Sequence, residues 1–102
     1  MLNQVILVGR IVQDLEIKEL ETSGMKAVKI TLAVPRSYKN KSGEYDTDFI
    51  DCIVFGVIAE NTKEYCEKGD LIAVKGRVQK LGNEETMKIV AEKITFLSTK
   101  KQ

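Results

Sequence analysis

The residues best suited to chemistry in this sequence begin in a polar segment where an aromatic ring lies among cations. Tyr38 is flanked by Arg36, Lys39 and Lys41, with no acid among them. Cationic side chains neutralise phosphate groups, and an exposed ring stacks on a nucleobase. The pattern therefore favours a loop that follows a polyanionic backbone. The alternative is an ordinary solvated loop, because charged loops usually face water.

Two further rings, Phe49 and Phe55, lie on a segment with the period of a β-strand. That period of two places Ile50, Cys52 and Val54 on one face and both phenylalanines on the other. Six residues separate the rings, which is about 20 Å along a strand. If the first face is the interior, the rings point outward, where apolar surface usually marks a binding site. We expect them to stack on bases; the alternative is that they pack in a subunit interface or under a loop.

Arg10, Lys75 and Arg77 are further candidates for contacts with phosphate. Lys75 and Arg77 point away from the apolar face of their segment, and Arg10 does so next to Gly9. Each is weak evidence alone, because cations are common on protein surfaces. The net charge is only +1, from 16 basic and 15 acidic residues. Only local clustering of cations can therefore indicate a polyanionic partner.

The composition excludes most catalytic and metal chemistry. There is no histidine, which removes the serine–histidine and cysteine–histidine nucleophile systems. Cys52 and Cys66 form no C-x-x-C pair, so a four-ligand zinc site is excluded and we expect buried, reduced thiols. Asp46, Asp48 and Asp51 lie close in sequence and could in principle hold Mg²⁺, but such sites usually need more oxygen ligands, and we expect solvated acids at the start of a strand. We therefore predict a binding protein with no metal and no cofactor, not an enzyme.

Length and hydropathy indicate one cytoplasmic domain. The chain has 102 residues, of which 43% are hydrophobic, as in an ordinary globular domain. No apolar run approaches the ~18 residues that cross a membrane. The N-terminal residues lack the basic start and apolar stretch of a secretion signal. We expect the domain to span residues 1–97, followed by a short polar tail at 98–102.

The pattern predicts strands and one helix. Five segments are rich in β-branched residues or alternate apolar and polar side chains: 5–13, 27–35, 48–57, 71–80 and 86–97. Gly9 predicts a bend or a close backbone approach in the first strand, Pro35 an end to the second, and the slip near Glu92 and Lys93 a bulge in the fifth.

One segment has the period of a helix, and its position suggests the fold. Ile58, Ala59, Thr62, Tyr65 and Cys66 share a helical face, and the glycine at position 69 is a natural C-terminal cap. Three strands, a helix and two strands suit a five-stranded Greek-key OB-fold barrel with the helix between strands 3 and 4. The predicted class is therefore all-β.

Several segments together resemble the bacterial single-stranded DNA-binding protein family. They are residues 1–10 (MLNQVILVGR), 31–36 (TLAVPR), 48–56 (DFIDCIVFG), 59–60 (AE), 68–70 (KGD), 74–77 (VKGR) and 94–97 (ITFL). The resemblance implies an OB-fold, sequence-independent binding and protection of single-stranded DNA during replication, recombination and repair, and usually a homotetramer. It places Tyr38, Phe49 and Phe55 at base-stacking positions. It also places Arg10 and two more arginines, 36 and 77, at basic positions.

The sequence departs from the family pattern in two places. The hairpin at residues 81–85 is short, and no aromatic residue lies between Tyr65 and Phe96, so one stacking position of the family is expected to be missing. The chain ends in Lys-Lys-Gln without an acidic tip, so recruitment of protein partners through a tail is not among our expectations; the chain is either a truncated form or a naturally compact version. The alternatives are an OB-fold module that binds RNA, a primosome-type relative, or a structural oligomer whose rings are buried.

Overall fold

Six strands and one helix make up the described part of the chain. The computed structural model describes residues 1–21, 23–80, 82 and 86–97. In chain order the elements are β1 (Val5–Ile11), β2 (Ile17–Glu19), β3 (Lys26–Lys39), β4 (Tyr45–Phe55), α1 (Gly56–Tyr65), β5 (Leu71–Lys80) and β6 (Met87–Phe96). Most of the predicted hairpin at 81–85 and all of the predicted tail at 98–102 lie outside the described residues.

Five of the strands close into a barrel. Antiparallel pairs join β1 to β5, β5 to β6 and β3 to β4, while β4 and β6 run parallel. The ring closes where Arg10 and Ile11 of β1 pair with Ala33 and Leu32 of β3. The short strand β2 lies outside the ring, and its one strand partner among the described residues is β3. The predicted five-stranded barrel, with one helix between its third and fourth strands, is confirmed.

Gly9 of β1 lies at a close approach of two strands, which is one of the two features predicted for it. A Cβ atom added at Gly9 would lie 2.7 Å from the backbone oxygen of Ala33, nearer than any side chain can approach. Because Gly9 has no side chain, β1 can cross from its partner β5 onto β3. The predicted bulge in the last strand is also confirmed. Lys75 pairs with Lys93 and Gly76 with Ala91, which leaves the glutamate at position 92 as the extra residue.

The core fills the barrel, and α1 covers one end of it. The side chains of Ile30, Leu32, Val54 and Ile72 are fully buried and stabilise the fold by removing apolar surface from water. α1 contributes two buried residues, Ala59 and Thr62. The Thr62 hydroxyl donates a hydrogen bond to the Ile58 carbonyl at 2.7 Å, so its burial leaves no polar atom unpaired.

Both cysteines lie in this core as free thiols. Cys52 is on β4 and Cys66 follows α1, and neither forms a disulfide. Burial, together with a neighbouring carboxylate, raises the pKa of each thiol to about 11. The prediction of buried, reduced cysteines is confirmed, and both thiols stay protonated at neutral pH.

The predicted end of the second strand at Pro35 is wrong. β3 continues through Pro35 to Lys39, and the pairing with β4 shifts register between these two residues. Beyond Ala33, β4 is the one partner that β3 has within the described ranges, so Pro35 lies on an edge, where a missing N–H is tolerated. Tyr38 is therefore on a strand and not on the predicted loop.

The predicted helix cap at Gly69 is also wrong. α1 ends at Tyr65, and the N–H of Cys66 donates to the carbonyl of Thr62. Gly69 lies in the following turn, with a φ of 97°, and its N–H donates to the Ile11 carbonyl at 2.8 Å. It connects this turn to β1.

In the described part of the chain, none of the helices has the length and apolar character of a membrane span.

Candidate nucleic-acid interface

β4 has one face in the core and one toward solvent, as its sequence predicts. Cys52 and Val54 are buried, and Ile50 is partly buried. Phe49 on the opposite face is 66% exposed, and Phe55 is half-buried. Both rings are carried by a strand that pairs with β3 on one edge and with β6 on the other. This pairing fixes their backbone and limits the entropy lost on binding.

The β3–β4 hairpin extends this surface. Its turn is closed by Asn40, whose side-chain oxygen accepts the N–H groups of Ser42 and Glu44 at 2.8 and 3.0 Å. The backbone N–H of Asn40 also donates to the carbonyl of Glu44. The exposed Lys41 lies in this turn, and Tyr38 is exposed near the end of β3.

Tyr45 is an exposed ring that the sequence reasoning missed. It is the first residue of β4 and pairs with Lys39, whose Nζ lies 5.9 Å from the centre of the tyrosine ring. That distance is within the range of a cation–π contact. The available signal was the spacing: Tyr45, Phe49 and Phe55 are separated by even numbers of residues and so share the outer face of a single strand. The predicted strand began too late to include it.

The sequence suggested that Arg36 lies among cations without an acid nearby, but in the structure it is paired with acids. Its Nε and Nη2 donate to the two carboxylate oxygens of Asp48, both at 3.0 Å. Its Nη1 lies 3.8 Å from Asp46. These hydrogen bonds hold the pKa of the Asp48 carboxyl below its usual value and raise the pKa of Arg36. Twelve residues separate the partners in sequence, so only the pairing of β3 with β4 reveals the contact.

Arg10 joins the surface that carries Phe49. Arg10 pairs with Ala33, and Ala33 pairs with Phe49. Directly paired residues share a face, so the exposed arginine and the ring flank a small alanine on three adjacent strands. A groove of about 360 Å³ lies here, lined by residues that include Arg10, Ala33, Pro35 and Thr47. The structure thus combines a cation, a concavity and an exposed ring.

Lys75 and Arg77 lie farther away. Both are on β5, which is separated from β4 by β6. Lys75 is exposed. Arg77 donates to Gln79 at 2.7 Å and to Glu92 at 2.9 Å. These two cations are thus not brought next to the three rings of β4, and one of them is already paired with an acid.

The three aspartates considered as metal ligands contact other side chains. Asp46 and Asp48 contact Arg36, and Asp51 accepts a hydrogen bond from Thr31 at 2.7 Å. Within residues 1–21, 23–80, 82 and 86–97, no three acidic or cysteine side chains are grouped as metal ligands. What this surface offers is stacking and ionic contact.

Comparisons with known proteins agree with this arrangement. Residues 2–97 match the Single-strand binding protein family. The chain is 39% identical to Single-stranded DNA-binding protein B of Bacillus subtilis strain 168, over 98% of this chain and 94% of that protein. It is 38% identical to Single-stranded DNA-binding protein 1 of Clostridium acetobutylicum, over 99% of this chain and 98% of that protein.

A solved structure shows the same fold. The crystal structure of a deletion mutant of the single-stranded DNA binding protein from Thermus aquaticus superposes with a TM-score of 0.76 and 26% identity. The match covers 95% of this chain but only 51% of the Thermus chain, so this chain spans about half of that protein. The likeness extends over nearly all of the barrel described above.

The two faces of β4 predict opposite effects of mutation on stability. Val54→Ala should destabilise the protein by about 2 kcal/mol, because it removes fully buried methyl groups and leaves a cavity. Phe49→Ala should change the melting temperature little, since its ring is mostly in solvent. Thermal unfolding of both variants followed by circular dichroism is the measurement. A large loss of stability in Phe49→Ala with none in Val54→Ala would show that the two faces are inverted.

Proposed function

The chain belongs to the single-strand binding protein family, and from this premise we propose that it binds single-stranded DNA without sequence preference. The observation that carries the proposal is the exposed Phe49 ring, fixed on β4 and flanked through Ala33 by Arg10. Such a surface binds and does not catalyse. We propose that it protects single strands in the cytoplasm during replication, recombination and repair.

Stacking supplies the part of the affinity that tolerates any sequence. Every base has a π-face, and stacking on an aromatic side chain contributes about 1–3 kcal/mol per base. Phe49 and Phe55 face the same side of β4, so one strand of DNA can contact both. Tyr38 adds a third ring from the neighbouring strand β3. No hydrogen bond to a base edge is needed for this mode.

Cations supply the contacts with the phosphates. Arg10, Lys39, Lys41 and Lys75 are exposed and are proposed as the groups that attract the backbone. Arg36 and Arg77 are also proposed contacts, but each must first leave a carboxylate. The phosphate therefore competes with Asp48 for the same guanidinium fork, whose planar geometry suits either anion.

We further propose that the chain assembles through β1 into a homotetramer. β5 pairs with one edge of β1 along residues 5–10, while β3 reaches the other edge only at residues 10 and 11. Among the described residues, the rest of that second edge has no strand partner, and Ile6 and Val8 beside it are 65% and 46% exposed. An open apolar edge is a template for a second strand. Pairing of two first strands gives a dimer, and two such dimers give a closed tetramer.

Removing either phenylalanine should weaken binding without unfolding the protein. Phe49→Ala and Phe55→Ala should each cost about 1–3 kcal/mol in affinity for oligo-dT, because a stacking position is lost. Phe96→Ala is the matched control, since Phe96 is an exposed ring on β6 that contacts Tyr65. Fluorescence anisotropy with labelled oligo-dT measures the effect, and duplex DNA and oligo-U serve as competitors. Preference for duplex, or for RNA, would contradict the proposal.

Asp48→Asn should strengthen binding and make it more sensitive to salt. The variant removes the carboxylate that accepts both hydrogen bonds from Arg36 and leaves the longer contact with Asp46. Arg36 can then neutralise one more phosphate, so the slope of log affinity against log salt should steepen by about 0.7. Glu64→Gln on the exposed side of α1 removes the same charge elsewhere and should leave the slope unchanged. Titrations of oligo-dT at several salt concentrations provide both slopes. Equal slopes for all three proteins would show that Arg36 takes no part in binding.

The assembly proposal predicts a defined mass in solution. Light scattering at micromolar concentration should give four times the chain mass of 11.5 kDa. Val8→Glu should lower this mass, because the new charge would be buried where the first strands meet. Ile17→Glu, at an exposed site on β2, is the control and should not. A wild-type mass equal to one chain would rule out the assembly.

A further inference from the structure

One exposed ring has no role in the binding surface considered so far. Tyr45 is 56% exposed, although it begins a strand whose other face enters the core. An exposed ring at the end of a row that also carries the exposed Phe49 and the half-buried Phe55 suggests a ligand. The residues that resemble the family's stacking positions do not include it.

The backbone beneath Tyr45 is held in place. It pairs with Lys39 across the hairpin, and the turn that follows Lys39 is closed by hydrogen bonds of the Asn40 side chain and backbone. Tyr45 lies four residues before Phe49, or about 13 Å along the strand. The outer face of β4 thus carries three rings over about 33 Å, since ten residues separate the first from the last.

Lys39 gives this ring a partner charge. Its ammonium lies 5.9 Å from the ring centre and so occupies one side of the ring. A planar aromatic group has two faces, so the contact leaves the second face for a base. The phosphate of the nucleotide that carries this base would lie near the Lys39 ammonium. The pair therefore combines the two contacts that single strands need, stacking and charge neutralisation.

We propose that Tyr45 and Lys39 form an additional nucleotide-binding position at the tip of the β3–β4 hairpin. The inference rests on the proposed function and extends its track of rings along β4. Tyr45 would also compensate for the stacking position of the family that this chain is expected to lack, because no aromatic residue lies between Tyr65 and Phe96. The occupant is one nucleotide of the strand that also contacts Phe49.

Intrinsic fluorescence can test Tyr45 alone. The chain has three tyrosines and no tryptophan, so the double variant Tyr38→Phe/Tyr65→Phe emits only from Tyr45. Oligo-dT should quench that emission, because a stacked base contacts the ring directly. The double variant Tyr38→Phe/Tyr45→Phe emits only from Tyr65, on the helix beside Phe96, and should not be quenched. Quenching of Tyr65 but not of Tyr45 would overturn the inference.

Affinity provides the second measurement. Tyr45→Ala should weaken binding of long oligo-dT by about 5-fold or more, whereas Tyr45→Phe retains the ring and should bind as the wild type does. Tyr65→Ala is the exposed control. If Phe49→Ala weakens binding and Tyr45→Ala does not, the inference fails and the proposed function stands. If neither variant weakens binding, the proposed function fails as well.

Discussion

The rest of the structure depends on the register between β3 and β4, because this pairing decides which side chains of β4 face the core. The ladder runs from Ala27 opposite Phe55 to Lys39 opposite Tyr45. A slip of one residue would exchange the two faces of a strand, and both faces of β4 carry apolar residues. Hydrophobic burial alone therefore discriminates weakly between the two registers.

Polar contacts across the same ladder add the missing discrimination. Thr31 donates to Asp51 at 2.7 Å, and Arg36 makes two hydrogen bonds to Asp48 at 3.0 Å. Exposed pairs of this kind contribute little to stability, but a slipped register would separate both pairs at once. Their effect is on which structure forms, and through it on which rings reach solvent.

The sequence predicted best what depends on local pattern. The alternation of Cys52 and Val54 with Phe49 identified both faces of β4, and the break in alternation located the bulge at Glu92. Gly9 revealed a close approach of strands because few other reasons place glycine inside a strand. These features are fixed by neighbours in the chain, so a single sequence contains them.

What the sequence could not predict depends on pairing between distant residues. Pro35 is a reliable strand breaker except on an edge, and whether β3 has a free edge there depends on where β1 leaves it. Once β3 passed Pro35, its hairpin brought in Tyr45 as a ring of the same face. The same extension placed the acids of β4 beside Arg36. All three errors at this end of the barrel therefore have a single cause.

The extension of β3 past Pro35 also affects how a nearly neutral chain binds a polyanion, because it places acids beside Arg36. With a net charge of +1, long-range attraction is weak, and two of the basic candidates are engaged by carboxylates. A paired arginine must give up its carboxylate when it binds a phosphate. Its contact with the phosphate therefore contributes less binding free energy than the same contact made by an unpaired cation. The rings do not share this limit, because stacking needs no counterion release. The three rings on the outer face of β4 would then supply most of the affinity, and the cations would mainly orient the DNA strand along them.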